Sequence, residues 1–85
     1  MSRQHHYLKI KPEYFRAIVK GEKTFEVRFN DRNFQKYDVL HLEEYAGEEY
    51  TGRVIDAEVT YVLDNPDYCK EGYVVMAIKV ISVYE

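Results

Sequence analysis

The chain has 85 residues, 46% of them hydrophobic and 15% aromatic, which fits one domain, 1–85, with a modest core. A net charge of −3 argues against an indiscriminate nucleic-acid binder, and a single cysteine, Cys69, rules out an internal disulfide. With no signal-like N-terminal run and no apolar stretch of bilayer length, the expectation is a soluble, cytoplasmic protein.

The charge is unevenly placed along the chain. Residues 1–36 hold nine Lys/Arg and four Asp/Glu, net +5, whereas 37–85 hold three and eleven, net −8. A basic segment in an acidic chain suggests a positive face for an anionic ligand, unless the fold mixes the two halves. Nine tyrosines and no tryptophan supply rings with polar tips, suited to half-buried positions and groove walls.

Residues 1–6 read as a polar leader running into a strand at Tyr7-Leu8-Lys9-Ile10, with Leu8 and Ile10 on the inner face. His5 and His6 are adjacent, but His41 and Cys69 stand alone, so no patterned ligand set appears and no metal is expected. Pro12 fits the first position of a helix, and Glu13 suits its first turn. Phe15, Ile18 and Val19 form its apolar stripe with Tyr14 on the flank, and Gly21 is placed to end it. The expectation is a helix over 12–20. Gly21-Glu22-Lys23-Thr24-Phe25-Glu26-Val27-Arg28 then opens a strand, 23–29. Alternation puts Phe25, Val27 and Phe29 on one face, expected to be the core face. Thr24, Glu26 and Arg28 fall on the other, with Lys23 at the strand's mouth.

Residues 30–35 are polar turn chemistry around one aromatic plug, Phe34. Asp38–Tyr45 reads as a strand with Leu40 and Leu42 inward, and 46–49 as a hairpin tip. The long strand from Tyr50 to Leu63 places Ile55, Ala57, Val59, Tyr61 and Leu63 on one face. After a loop ending at Gly72, Tyr73–Ile81 is apolar on both faces, the pattern of a strand buried on both sides. The expected core is Leu8, Ile10, Phe15, Ile18, Val19, Phe25, Val27, Leu40, Leu42, Val59, Met76 and Ile78. Five strands and one short N-terminal helix indicate a mostly β (α+β) domain. Its form would be a small antiparallel barrel of five or six strands, with an open α+β sheet as the alternative.

Gly21 to Arg28 matches G-x-K-x-x-E-x-R and resembles the signature of the ASCH (activating signal cointegrator homology) domain of the PUA-like fold. The resemblance extends to the preceding helix and to Lys36-Tyr37-Asp38-Val39-Leu40, where Tyr37 replaces a usual Gly. It also takes in Tyr50-Thr51-Gly52-Arg53 and the closing Glu71–Ile78 strand, features of a small single-domain bacterial branch. It implies a PUA-like barrel whose cleft, between helix and motif strand, binds RNA, with Lys23, Glu26 and Arg28 lining it.

The three residues suit recognition. Arg28 presents a planar fork for phosphate, base edge or ring, and Lys23 a point charge. Glu26 would accept from an exocyclic amine or orient Arg28. Tyr7, Phe34, Tyr37 and Tyr73 are candidates for stacking bases. The expected partner is single-stranded RNA or a nucleotide, with no membrane, no cofactor and a monomeric chain. Arg28→Ala should then weaken binding more than Arg53→Ala, which lies in the acidic half.

Some small bacterial relatives within the resemblance are amidohydrolases of acylated cytidine, with a nucleophilic Thr where this chain has Glu26. An enzyme of that kind would have to use Lys23 and Glu26; Thr24 is nearby but differs in parity and position from that Thr, and Glu71 is a weak candidate for a second carboxylate. A third class is a protein-interaction module using the acidic stretch 43–58.

Overall fold

The structure is a computed structural model and describes residues 3–85; residues 1 and 2 of the polar leader lie outside the described residues. The elements are β1 (His5–Ile10), α1 (Pro12–Val19), β2 (Phe25–Phe29), β3 (Val39–Ala46), β4 (Glu49–Leu63) and β5 (Tyr73–Tyr84). The five strands form one curled sheet in the order β1-β3-β4-β5-β2, a half-barrel with one helix. Three of the four pairings are antiparallel, as expected, but β1 runs parallel to β3. The chain leaves β1 at one edge, passes through α1, and lays β2 on the opposite edge. The helix packs on β3 and forms one wall of a cleft whose other residues come from the two edge strands and the turn before β2.

The helix forms over 12–19, one residue short of the expected 12–20, with Lys20 as its C-cap. Pro12 occupies the first turn, and Gly21, at φ +78°, takes the left-handed position that ends it. Gly21 N–H donates to Ile18 O and Glu22 N–H to Ala17 O, the two bonds of a Schellman motif. Eight residues are too few for a free helix, so its stability comes from Phe15 and Ile18, buried against the inner face of the sheet. That face carries Leu8, Ile10, Leu40, Leu42, Ile55, Ala57, Val59, Val74, Met76 and Ile78, with Phe34 as the plug. Tyr37 has φ +78°, which explains why a Gly-like position precedes this strand: the backbone there is left-handed.

Three expectations about the core fail. Phe25, Val27 and Phe29 are 44%, 50% and 55% exposed, whereas Glu26 on the opposite face is only 3% exposed. Alternation does separate the two faces of β2, but the polar face points in. Val19 is exposed too, because the helix buries only the Phe15–Ile18 edge of its stripe. Finally, β5 is covered on one face only. Val74, Met76 and Ile78 are buried, while Tyr73, Val75 and Ala77 face outward. The run Tyr61-Val62-Leu63 also changes parity. A bulge between Val59 and Tyr61 turns Tyr61 outward and brings Val62 onto the core.

The outer face of β2, β5 and β4 is consequently apolar. Cross-strand pairing aligns Phe25 with Ala77 and Tyr61, Val27 with Val75 and Leu63, and Phe29 with Tyr73. Phe29 lies so close over Gly72 that a Cβ there would meet its ring at 2.6 Å.

Two buried carboxylates fasten the ends of the sheet. Asp38 accepts from the Gln4 and Gln35 N–H groups and lies 2.8 Å from His6 Nε2, whose ring meets Phe34 edge-on. Burial would raise the Asp38 pKa, but the His6 bond, the two N–H donors and the His6 charge outweigh it and hold it below its ordinary value. Glu44 behaves likewise. Burial is overcome by hydrogen bonds from Thr51 and Arg53 and by the Arg53 and Arg16 charges. Carboxylates with depressed folded-state pKa values stabilise the fold above their unfolded values and lose that contribution as pH falls through the folded ones. The urea midpoint should be flat from neutrality to about pH 5 and fall below about pH 4.5, and Asp38→Asn should flatten the acid limb.

Candidate functional site: the cleft between the helix and the edge strands

The Schellman turn delivers Lys23 directly onto the start of β2, and strand alternation then places Glu26 and Arg28 on the inward face. There the three side chains form one unit. Glu26 accepts from Lys23 Nζ through Oε1 and from Arg28 Nε at 2.9 Å through Oε2, so both its oxygens are engaged. The Glu26 side chain is 4% exposed, against 15% for Lys23 and 25% for Arg28. A carboxylate buried to this degree needs such partners, since an unpaired one would not stay ionised. Lys23 Nζ also donates to Phe25 O at 2.6 Å, and Arg28 Nη2 to Lys9 O at 2.8 Å.

The Lys9 bond has a structural consequence. β1 and β2 share no backbone ladder, but Arg28 reaches Lys9 O and Arg32 Nη1 reaches Tyr7 O at 3.0 Å. Two guanidinium groups thus tie the half-barrel across its open seam. Beside the seam lies a cavity of about 640 Å³, with Ile10, Lys11, Tyr14 and Ala17 on one wall and Glu22, Lys23 and residues 25–28 on the other. Its size is that of a small-ligand site.

The structure brings Lys23, Glu26 and Arg28 together as expected. It does not bring the expected aromatics to them. Phe34 is core, Tyr7 stacks on His41 on the outer sheet face with ring centroids 4.5 Å apart, Tyr37 lies exposed beyond the cleft, and Tyr73 faces outward. Two rings line the cleft: Tyr14, 44% exposed, with Lys23 Nζ 5.7 Å from its centroid, and Phe25, with Nζ 5.0 Å from its centroid. The place of Tyr14 three residues before Ala17, on the helix face that Gly21 turns toward the motif, was the available signal. Glu71 lies outside the cleft, and the carboxylate at its rim is Glu22.

The adjacent histidines diverge, as alternation demands. His6 turns in to Asp38, and His5 turns out to His41, with Nδ1 2.8 Å from His41 Nε2, while His41 Nδ1 lies 2.6 Å from Asp56. Among the described residues no group of three or more His, Cys, Asp or Glu side chains is arranged to hold a metal ion. Nor is any described helix long and apolar enough to cross a membrane.

The fold and site define a small half-barrel domain with a cation-walled cleft at its seam. The chain belongs to the family described as a domain of unknown function, DUF3850, which it matches over residues 5–78. It is also 37% identical over 71 residues to the "Uncharacterized 12.9 kDa protein in GpA 3'region" of Escherichia phage P2, an alignment covering 84% of this chain and 64% of that protein. The chain thus spans just under two thirds of its phage relative.

Proposed function

We propose that this domain binds a nucleotide or a short single strand of RNA in the cleft between α1 and β2, the function implied by the ASCH-type, PUA-like resemblance of its motif. The observation that carries this reading is the Lys23–Glu26–Arg28 unit. Glu26 holds two cations in place at the wall of a cavity whose other wall offers the face of Tyr14. Arg28 spends Nε and Nη2 on protein acceptors, which leaves Nη1 for a ligand. Lys11 adds a further cation at the rim. Glu26, with each oxygen accepting from one cation, orients these donors. Against the amidohydrolase reading, Thr24 does not line the cavity.

Fluorescence anisotropy with mononucleotides and short RNA and DNA oligomers tests the proposal. Each phosphate neutralised on a single strand contributes about −0.7 to the slope of log affinity against log salt, so two or three contacts imply roughly −1.4 to −2.1. Absence of binding at low salt would defeat the nucleic-acid reading, and a much steeper slope would defeat its confinement to this cleft.

A further inference from the structure

The outer face of β2, β5 and β4 is a second unexplained surface, which meets the rim of the cleft at Phe25 and Val27. We infer that it is a self-association surface, through which two copies of this chain pack sheet to sheet about a two-fold axis. The argument begins with its composition. The three cross-strand rows from Phe25 to Tyr73 contain no charged side chain, in a chain that is 32% charged. Phe25, Val27, Phe29 and Tyr61 are each between 44% and 61% exposed. Together with the half-buried Tyr73 and Val75 they leave on the order of 500 Å² of apolar surface in one patch, at the top of the range for monomeric proteins.

Area and charge both select a second copy as the occupant. Two such patches face to face remove about 1,000 Å² in total, the lower bound for a specific interface. A chain of net charge −3 repels its own copy wherever acidic faces meet, but these three rows carry no acid, the next outer row pairs Glu58 with Lys79, and Lys23 and Lys70 lie over the Phe25 and Tyr73 rings at the patch margin. Strands with alternating apolar outer residues suit aligned face-to-face packing of two sheets. The same contact explains why β2 keeps Phe, Val and Phe on the face away from its own core, in place of the monomer that the sequence suggests.

Sedimentation equilibrium on the full chain, over a range up to about 100 µM, tests this. The wild type should be dimeric in that range. Tyr61→Lys and Val75→Lys should each weaken association at least about tenfold, by placing a charge in the contact. Ile81→Lys, on an exposed apolar residue beyond the patch, should leave it unchanged. Circular dichroism on each variant keeps a folding defect from passing as dissociation. A wild type that stays monomeric throughout would overturn the inference, as would folded Tyr61→Lys and Val75→Lys variants that associate like wild type. A protein that dimerises equally poorly with Ile81→Lys places the contact elsewhere and overturns it too.

Discussion

Replacing Glu26 with Ala is expected to cost about 2–3 kcal/mol of folding stability, read as a lowered urea midpoint at unchanged slope. Removing one partner of a fully buried ion pair costs about 3–5 kcal/mol, because the charge left behind has lost its counter-ion. Here the cations left behind are partly exposed and recover some hydration, so the lower figure applies. The loss is still a large fraction of what a domain of this size possesses, about 5–10 kcal/mol. Glu26→Gln keeps the shape and one acceptor and should cost about half as much. Replacing Lys23, Glu26 and Arg28 together by apolar residues of similar volume should be milder than Glu26→Ala alone, since no orphaned charge remains. A midpoint for Glu26→Ala within error of wild type would mean that the three side chains do not act as a buried unit.

That unit also shows what could and could not be read beforehand. The helix was legible because Pro12 and Gly21 mark both of its ends, and the motif residues were legible because Glu26 and Arg28 fall two apart on one strand with Lys23 just before it. The direction in which β2 faces was not. Alternation fixes which residues share a face, but the choice between an apolar and a charged inner face depends on what lies opposite. Opposite β2 lie a helix end, the Lys9 carbonyl and a cavity, none of which the local pattern contains. The bulge after Val59 hid the parity of Tyr61 for a similar reason: an extra residue in one strand is defined only by its partner. Apolar residues on both faces of β5 pointed to double burial, yet the second face is the exposed patch. Nothing local marks His6 or Glu44 as structural, and only the cross-strand register reveals them as buried partners of Asp38 and Arg53.

The structure changes the comparison that best tests the cleft. Arg53 is not a neutral control for Arg28, because it pairs with Glu44, whose side chain is 1% exposed, and Arg53→Ala would strand that carboxylate. Tyr14 provides a cleaner probe. It is an exposed ring on the cleft wall whose loss costs the fold little, and stacking of a base on an aromatic side chain is worth about 1–3 kcal/mol. Tyr14→Ala should therefore weaken nucleotide or RNA binding by roughly 5- to 150-fold, while Tyr68→Ala, on a ring outside the cleft, should change nothing. Arg28→Lys keeps the charge but loses the planar fork that spans Glu26, Lys9 O and the ligand. Its affinity should drop about tenfold with the salt slope nearly preserved, because the lost element is geometry and the charge survives. If Tyr14→Ala and Tyr68→Ala bind alike, no base stacks on this wall. If Arg28→Lys also binds as tightly as wild type, the ligand does not touch the side chain around which the cleft is built.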